Sequence, residues 1–375
     1  MLAAPINPSD INQVEGVYPI KKKPQEYVDA DSGEKLMGYI GGNEGVAQVV
    51  KIDSAIKDEI KVGDWVAPRY PGSLGTWSEY AYADVEDLVR IRPAETNEID
   101  NKSESSTIAS AKTAKMITPE DLSTVKVNGS TAYRMLSDFM QAKKDGKQED
   151  QYVIQNGANG SAGQYVIQIA KELGLKTINV VRDRENFEET KAQLCKLGAD
   201  IVIKDSELVA GNKSPSDTYL QVLALSKKGL IKLGINCVGG GIKNKTGSIE
   251  MAKMLANKSY YVTYGAMSKL PLVIPASFLI FKDIRFVGFW VSQWYVEQPV
   301  PKWQEMWQDL GRMIAENKLK PQPMNPIAWP TVSTTANTSS SPQTENTKQS
   351  IMGILFPTSV DGTKKTTAKN YFKFY

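Results

Sequence analysis

Histidine is absent from this chain of 375 residues, and cysteine occurs only twice. Without histidine, there can be no His-based catalytic triad and none of the usual zinc sites that need histidine ligands. Two cysteines far apart in the sequence cannot form a cysteine-rich metal site, and so few of them are typical of a reducing compartment. We therefore predict a site without metal, whose acids and bases are tyrosine, lysine, aspartate, glutamate, cysteine or bound water.

The chain also lacks a strong charge of either sign and a long apolar run. Its 45 basic and 42 acidic residues leave a net charge of +3, and the densest basic run, 21–23, is too short to indicate nucleic-acid binding. The apolar stretch 270–281 contains prolines and is shorter than the about 20 residues that a membrane helix needs. We expect a protein that binds no nucleic acid and has no membrane span.

Residues 155–184, with the sequence QNGANGSAGQYVIQIAKELGLKTINVVRDR, have the pattern of a nucleotide-binding unit. An apolar run at 152–154 predicts a strand, and apolar side chains at helical spacing between 166 and 173 predict a helix. Three glycines fall at the turn between them: Gly157, Gly160 and Gly163. Glycine lets the backbone approach a diphosphate, and the N-terminus of the helix favours its negative charge. This segment therefore predicts a site for a phosphorylated nucleotide.

The residues after the next apolar run, 177–181, indicate which nucleotide is bound. A site that prefers NAD places an acidic residue there for the ribose 2′-hydroxyl, whereas an NADP site accommodates the 2′-phosphate with arginine. Here the run leads into Arg182 and Arg184, and a guanidinium group suits phosphate geometry. We therefore predict NADPH as the cofactor. The alternative is a pair of solvated arginines with Asp183 between them as a local ion-pair partner.

Sequence patterns divide the chain into three parts. Residues 1–118 contain short β-prone runs between turn clusters and predict a small, mostly β domain, with a polar insertion near 95–118. Residues 119–290 alternate strand-like and helix-like patterns and predict an α/β, doubly wound parallel sheet. Residues 291–375 contain an amphipathic helix at 303–317 and a Ser/Thr/Asn-rich loop near 331–349 that we expect to be flexible.

The predicted strands fall into two sets. The β-prone runs of the first part are 46–52, 65–67, 78–83 and 88–91. The strands predicted for the second part are 152–155, 177–181, 200–203, 234–237, 260–264 and 285–289. Right-handed crossovers would bring the C-terminal ends of the second set to one edge, where we expect the cofactor.

Segments spread over residues 2–294 resemble, in the same order, those of one enzyme family: LAAPINPSDINQVEGVYP, GGNEGVAQVV, GDWV, GTW, TAYRML, INVVRDR, NCVGG, TYGAM and FKDIRFVGFWVSQW. The chain resembles the zinc-free medium-chain dehydrogenase/reductases, and among them the mitochondrial trans-2-enoyl-thioester reductases. The resemblance implies a Rossmann-type cofactor domain and a GroES-like catalytic domain. Because the family has several tens of residues before LAAPINPSD, we also expect the catalytic domain to be truncated at its N-terminal end, without its opening strands.

The resemblance implies NADPH-dependent reduction of the C2–C3 double bond of an enoyl group carried by acyl carrier protein or coenzyme A, in mitochondrial fatty acid synthesis. Tyr18, in GVYP, matches the family's proton donor. Hydride would reach Cβ and the tyrosine would protonate Cα, since a phenol is protonated at neutral pH and can donate. Without the resemblance, Tyr18 would be interpreted as a packing residue in an early loop.

Cofactor contacts follow from the resemblance position by position. Asn128 matches an NADPH contact, with Gly129 in place of the neighbouring family proline. The other predicted contacts are Asn159, Gly160, Ser161 and Ala162 at the diphosphate; Arg182, Asp183 and Arg184 at the 2′-phosphate; Tyr264, Gly265, Ala266 and Met267 at the nicotinamide; and Phe289, Trp290 and Val291 in the closing segment. Ala266 replaces the usual glycine, and its methyl group would crowd the backbone if φ were positive. Asn43, Glu44 and Trp77 either shape the substrate pocket or are turn and packing residues.

The resemblance further implies a homodimer located in mitochondria. Two other functions remain open. An NADPH:quinone reductase on the same scaffold needs no proton-donating tyrosine at position 18. A non-catalytic NADPH-binding protein would keep the cofactor segment; the missing opening strands favour it, whereas Tyr18 and the GFWVSQW segment oppose it.

Overall fold

The computed structural model of this chain describes residues 1–20, 24–28, 33–53, 60–70, 72–92, 116–140, 150–208, 214–241, 247–328 and 369–373. Within them the strands are β1 Ala3–Pro5, β2 Gln25–Val28, β3 Lys35–Gly38, β4 Ala47–Gln48, β5 Trp65–Pro68, β6 Leu88–Arg92, β7 Tyr152–Asn156, β8 Lys176–Val181, β9 Ile201–Lys204, β10 Ile231–Asn236, β11 Tyr260–Thr263, β12 Arg285–Gly288, β13 Met324–Ala328 and β14 Lys369–Lys373. The loop predicted at 331–349, and all but the last residues of the insertion predicted at 95–118, lie outside the described residues.

The helices of the described residues are α1 Pro8–Val14, α2 Pro119–Leu122, α3 Ser130–Phe139, α4 Ser161–Glu172, α5 Phe187–Leu197, α6 Asp205–Leu208, α7 Asp217–Lys227, α8 Ser248–Met254, α9 Ala276–Ile280, α10 Val291–Glu297 and α11 Val300–Ala315. A 3₁₀ turn covers Val85–Asp87, and a π-helical turn covers Val125–Gly129. The amphipathic helix predicted at 303–317 is confirmed as α11, which buries Trp303, Met306 and Leu310 on one face. It ends before Asn317, whose φ of +57° cannot continue a right-handed helix.

Two compact units divide the chain: Met1–Ile99 together with Pro323–Tyr375, and Asp100–Gln322. The second unit thus extends beyond residue 290, where the sequence predicts a return to the first. The reason is packing by aromatic side chains. The Tyr295 hydroxyl on α10 donates to Lys126 O at 2.7 Å, and the Tyr295 ring lies 4.8 Å from that of Trp303 on α11. Helices α10 and α11 are therefore part of the second unit.

The second unit is built around a six-stranded parallel sheet with the order β12-β11-β10-β7-β8-β9. Every strand predicted for this part is present, with boundaries shifted by at most three residues. Successive residues of β9, Val202 and Ile203, pack into two different apolar clusters. Because a strand of this kind is buried on both faces, its sequence reads as a continuous apolar run. The predicted α/β fold is confirmed.

The first unit contains three small sheets among the described residues, with the orders β1-β14-β13, β4-β5-β6 and β2-β3. The strand predicted at 46–52 is reduced to β4, and the strand predicted at 78–83 is wrong. Residues 78–83 form no strand, and Tyr80 and Tyr82 are 72% and 101% exposed. Their aromatic alternation has the period of a strand, but neither ring finds a surface to pack against.

Candidate active site

A turn rich in glycine, residues 157–163, leads from β7 into α4 and is called the glycine turn below. Gly157 has a φ of +59°, and a side chain there would collide with the Cys237 thiol. Gly160 is extended, with φ −74° and ψ 165°, and immediately precedes the first residue of α4. The glycine turn therefore places the N-terminus of α4, with its positive dipole end, at the end of a central strand.

Ser161, the first residue of α4, has a buried hydroxyl without a hydrogen-bond partner among the described residues. A buried polar group without a partner is costly, and it commonly marks the place of a ligand, ion or water. The first N–H groups of a helix likewise have no acceptor within the helix. Ser161 and the N-terminus of α4 therefore fit an anionic diphosphate. The predicted contacts Asn159, Gly160, Ser161 and Ala162 lie together here, and their contact with the cofactor stays a prediction.

Gly163 allows α4 to pack closely on the glycine turn. A Cβ atom at this position would lie 2.7 Å from the Cα and O atoms of Ala158. That separation is well inside the optimal distance of about 3.5–4.0 Å between carbon atoms. A side chain at Gly163 would therefore push the helix away from the strand end that it must approach.

We expect Gly163→Ala to destabilise the second unit and to weaken NADPH binding. Overpacking of this kind typically costs about 1–3 kcal/mol, and urea unfolding measures it. Gly311→Ala is the matched control, because Gly311 lies within α11 and a Cβ atom there meets nothing within 4 Å. Alanine at that position should raise the free energy of unfolding by about 0.5–1 kcal/mol. Equal changes in the two variants would contradict the close-packing role of Gly163.

Buried amide side chains hold the strand ends beneath the glycine turn. Gln155 Nε2 donates to Gly163 O at 3.0 Å and to Asn179 Oδ1 at 2.8 Å, which links α4 to β8. Asn156 Nδ2 donates to Asn236 Oδ1 at 2.8 Å, which joins β7 to β10. These residues were not predicted from the sequence, although amides that end apolar strands are a readable signal. The network fixes the ends of three neighbouring strands relative to one another.

The arginine pair predicted for the 2′-phosphate follows β8. Arg182 and Arg184 are exposed, and neither guanidinium group has an ion-pair or hydrogen-bond partner among the described residues. Asp183 does not pair with them, because its carboxylate lies 3.0 Å from Lys204 Nζ on β9. The local ion pair of the alternative interpretation is therefore not formed, and both arginines are open to a ligand.

The loop after β11 is held against the loop after β10. Tyr264 N donates to Asn236 O at 3.0 Å, and Met267 N donates to Cys237 O at 3.1 Å. Ala266 is exposed and is not among the residues with a positive φ. The expected crowding by its methyl group does not occur, because the backbone here has a conformation that alanine adopts without strain.

Uncharged polar groups line this pair of loops. A Cβ atom at Gly265 would lie 2.8 Å from Cys237 O, so the backbones touch. Burial raises the pKa of the Cys237 thiol to about 11. Burial, with Cys237 beside it, also raises the pKa of the Tyr264 hydroxyl well above its ordinary value. Both groups are therefore neutral at physiological pH and add no charge at the position predicted for the nicotinamide.

The closing segment follows β12. Phe289 N donates to Thr263 O at 3.0 Å, and the Phe289 ring packs edge-on against Phe139 with ring centres 6.4 Å apart. The Trp290 side chain is 39% exposed, whereas that of Val291 is 6% exposed. The side chain of Val291 therefore belongs to the core, whereas that of Trp290 reaches the surface.

Asn128 lies in the π-helical turn Val125–Gly129, immediately before α3. Two hydroxyl groups fix this turn: Ser130 Oγ donates to Val125 O at 2.9 Å, and Tyr295 OH donates to Lys126 O at 2.7 Å. Turns of this kind occur frequently at functional sites. Neither the π-helical turn nor its anchor Tyr295 was predicted from the sequence, because the anchoring residue lies far along the chain.

The order of the parallel strands brings most of the predicted cofactor residues to one edge of the sheet. Across the sheet, the C-terminal ends of β8, β7, β10, β11 and β12 are followed by Arg182, Gly157, Cys237, Tyr264 and Phe289. Strands β8 and β9 lie on one side of β7, and β10, β11 and β12 lie on the other, so the strand order reverses at β7 and its glycine turn. Ligands of open α/β sheets bind in the crevice at such a reversal.

Tyr18 lies in the first unit, on the segment that follows α1. Its backbone N–H donates to Asn12 O at 3.1 Å, and Gln13 Nε2 donates to Ile20 O at 3.0 Å. Gln13 in turn accepts from Asn43 Nδ2 at 3.0 Å. Helix α1 therefore holds the segment on both sides of Tyr18, whose side chain is half-buried.

Three residues of the first unit, for which the sequence allows either a role in the substrate pocket or a structural role, are all buried. Asn43 and Glu44 are 4% and 0% exposed, and Trp77 is 9% exposed. Asn43 Nδ2 donates to Asp10 Oδ1 at 2.7 Å, and Glu44 Oε1 accepts from Asn7 Nδ2 at 2.8 Å. These bonds fasten α1, and through it the segment of Tyr18. A role of Asn43, Glu44 and Trp77 in a substrate pocket stays a prediction.

The parallel sheet, the glycine turn at the strand reversal and the arginine pair define a dinucleotide-binding oxidoreductase domain. A family model described as zinc-binding dehydrogenase matches residues 162–313. The mitochondrial enoyl-[acyl-carrier-protein] reductase of Caenorhabditis elegans is 39% identical over 322 residues, which are 86% of this chain and 76% of that protein. The human protein of the same name is 37% identical over 319 residues, 85% of this chain and 71% of that protein.

Solved structures agree with these relatives. The complex of Etr1p with NADP and crotonyl-CoA has a TM-score of 0.73 at 26% identity, covering 100% of this chain and 89% of that chain. The mitochondrial 2-enoyl thioester reductase Etr1p/Etr2p heterodimer from Candida tropicalis has a TM-score of 0.74 at 27% identity, with the same coverage. This chain belongs to the mitochondrial enoyl-[acyl-carrier-protein] reductases of the medium-chain dehydrogenase/reductase family.

Membership confirms the family, the oxidoreductase class and the NADPH cofactor predicted from the sequence. The described residues contain no group of three or more His, Cys, Asp or Glu side chains that could hold a metal ion. A site without metal stays a prediction. Among the described residues, none of the helices has the length and apolar character needed to cross a membrane.

Proposed function

We propose that this protein reduces the C2–C3 double bond of trans-2-enoyl thioesters to saturated acyl thioesters. The observation that carries the proposal is one edge of the sheet, where the Ser161 hydroxyl and the guanidinium groups of Arg182 and Arg184 have no partner among the described residues and suit a phosphorylated dinucleotide. Ser161 and the N-terminus of α4 would hold the diphosphate, and Arg182 and Arg184 the 2′-phosphate. When bound, NADPH supplies the hydride.

Tyr18 is the proposed proton donor. Reduction at Cβ develops negative charge on Cα and on the thioester oxygen, so a proton must reach Cα. A phenol donates such a proton most effectively when its position is fixed before reaction. The bonds from Asn12 and Gln13 to the segment of Tyr18 support this role, because they hold the backbone on both sides of the tyrosine.

A comparison of substrates separates this reaction from the two alternatives, a quinone reductase and a non-catalytic NADPH-binding protein. We would follow NADPH oxidation with crotonyl-CoA, with the crotonyl thioester of acyl carrier protein and with a quinone. The proposal predicts turnover of the thioesters and little turnover of the quinone. Preference for the quinone would favour a quinone reductase, whose likeness to this chain, for example to the Bacillus thuringiensis structure at 20% identity, concerns the fold alone. NADPH binding without any turnover would favour a non-catalytic protein.

We also propose that the protein acts in mitochondria, in fatty acid synthesis. This rests on the relatives in nematode, mouse, human and fission yeast, which are all named as mitochondrial enoyl-[acyl-carrier-protein] reductases. The carrier of the substrate would accordingly be acyl carrier protein or coenzyme A. Import of the full-length gene product into isolated mitochondria tests the location.

A homodimer is proposed through the β12 edge of the sheet. Among the described residues, strand β12 pairs with β11 on one side and ends the sheet on the other, so its outer backbone groups can pair with a further strand. The residues just before it are apolar and exposed: Leu279 is 52%, Ile280 70% and Phe281 77% exposed. Apolar surface beside an open strand edge is typical of an interface. A second copy of this chain would cover both.

The variant Ile280→Glu/Phe281→Glu is expected to be monomeric, because two carboxylates would be desolvated in the proposed interface. Sedimentation velocity measures the mass. Leu220→Glu is the matched control, since Leu220 lies on α7 of the same unit and is 47% exposed. It should leave the dimer intact. A dimer that survives the paired change would rule out this face.

A further inference from the structure

Asp183 lies at a position where an acidic side chain disfavours the binding of NADPH, the cofactor of this family. An acidic residue after this strand binds the ribose 2′-hydroxyl of NAD, and its charge would repel the 2′-phosphate of NADPH. Here it lies between the two arginines proposed to bind that phosphate. The chain must therefore contain something that prevents the carboxylate from acting on the ligand.

Two side chains occupy both oxygens of this carboxylate. Lys204 Nζ lies 3.0 Å from Asp183 Oδ1, and Ser206 Oγ donates to Asp183 Oδ2 at 2.7 Å. The backbone N–H of Asp183 donates to Asp205 Oδ1 at 2.9 Å, which holds the main chain at the same place. The carboxylate is thus directed towards the end of β9.

Strand pairing places Lys204 in this position. Val181 and Lys204 are register partners in the β8–β9 ladder, so the last residue of β9 lies beside the last residue of β8. Lys204 N donates to Glu207 Oε2 at 3.0 Å, and the ammonium group lies 5.0 Å from the centre of the Phe187 ring. The lysine is therefore fixed at its backbone and supported along its side chain.

Stability does not explain the pair. The side chains of Lys204 and Asp183 are 34% and 44% exposed, and exposed ion pairs contribute little to folding. The effect on charge at the ligand site is larger, because Lys204 neutralises the only acidic residue between Arg182 and Arg184. Hydrogen bonds from Ser206 and Lys204 also keep the pKa of the Asp183 carboxyl below its ordinary value, so it remains ionised and bound to them.

We infer that Lys204, assisted by Ser206, is a specificity-determining residue for NADPH: it sequesters Asp183 so that Arg182 and Arg184 present an unopposed positive site to the 2′-phosphate. Lys204 acts through Asp183 and is a positioning residue. The inference rests on the proposed role of the two arginines. It assigns cofactor choice to a residue of β9, outside the segment that carries the arginines.

Equilibrium binding of small probes tests this inference independently of turnover. The probes are 2′,5′-ADP and 5′-AMP, which differ in the 2′-phosphate, together with NADPH and NADH. In Lys204→Met the released carboxylate should weaken 2′,5′-ADP and NADPH binding by about tenfold, the effect of one charge at short range near a protein surface. Binding of 5′-AMP and NADH should be unchanged or tighter, because Asp183 can then accept from the ribose 2′-hydroxyl.

Binding of 2′,5′-ADP to variants that also carry Asp183→Asn distinguishes two ways in which Lys204 could act. If Lys204 works by holding Asp183, then Lys204→Met should have almost no effect on 2′,5′-ADP binding once Asp183 is asparagine. An equal loss in both backgrounds would mean that the lysine contacts the phosphate itself, and would overturn the inference. Unchanged binding of 2′,5′-ADP and NADPH in the single variant Lys204→Met, with Asp183 retained, would overturn the inference as well.

Lys176→Met provides the matched control. Lys176 on β8 pairs with Asp200 at 2.9 Å and is similarly exposed, but it lies at the opposite end of the sheet. The Lys176→Met variant should bind all four probes as the wild type does. If it lost as much affinity for 2′,5′-ADP as Lys204→Met, the inference would be overturned. Failure of the proposed reaction would look different: the wild type would bind 2′,5′-ADP and discriminate against 5′-AMP, but would reduce no enoyl thioester.

Discussion

Tyr18→Phe is expected to lower kcat for crotonyl-CoA by about 100-fold or more, because a general acid in the transition state typically contributes about 10²–10⁴-fold. The Kd for NADPH should stay within about twofold, since the change removes one hydroxyl and no phosphate contact. Stopped-flow oxidation of NADPH and fluorescence titration measure the two quantities separately. The expected pattern is loss of the chemical step with binding retained.

A second tyrosine of the same unit controls for the loss of a phenol as such. Tyr82 is fully exposed, and Tyr82→Phe should react at the wild-type rate. If Tyr18→Phe also reacts at the wild-type rate, the proton reaches Cα from another group or from water, and the role transferred from the family is wrong for this chain.

Arg182→Gln/Arg184→Gln is expected to raise the Kd for NADPH by about 100-fold. Hydrogen bonds to charged groups contribute about 1.5–3 kcal/mol each, and both guanidinium groups are exposed, so the lower end of that range applies to each. The Kd for NADH should change little, because it lacks the 2′-phosphate. Isothermal titration of the two cofactors measures the ratio, and the wild-type preference for NADPH should disappear.

The control for the Arg182→Gln/Arg184→Gln variant is an arginine of the same unit that forms an ion pair within the protein. Arg312 on α11 pairs with Asp309 at 3.2 Å, and Arg312→Gln should not change the preference. Parallel weakening of NADPH and NADH in the Arg182/Arg184 variant would show that the arginines support the fold of the loop and do not recognise the 2′-phosphate.

Local patterns in the sequence predicted the sheet because its central strands β7, β8 and β10 are buried along almost their whole length. The run 201–203 is apolar throughout, and a run of this kind between turn signals is consistent with a buried strand. The glycine turn could be predicted for a similar reason, since its function requires glycine at fixed spacing. In the first unit the signal was weaker, and the run at 78–83 alternates like a strand without forming one.

Contacts between distant parts of the chain could not be predicted. Lys204 reaches Asp183 because β8 and β9 pair in one particular register, and a shift by one residue would turn the lysine to the other face. The π-helical turn that carries Asn128 depends on Tyr295, which lies 169 positions from its acceptor Lys126. The compact units divide at Gln322 and Pro323, not at the predicted residue 291, and the packing of α10 that underlies this difference likewise joins residues far apart in sequence, Tyr295 and Lys126.

Isotope labelling of the product tests the central claim most directly. Crotonyl-CoA would be reduced with NADPH carrying deuterium at the transferred position of the nicotinamide, and separately with unlabelled NADPH in D₂O, and the butyryl product would be examined by NMR. The proposed reaction places deuterium from the cofactor at Cβ and deuterium from solvent at Cα. A saturated product labelled at neither position, or no saturated product from either thioester carrier, would contradict it.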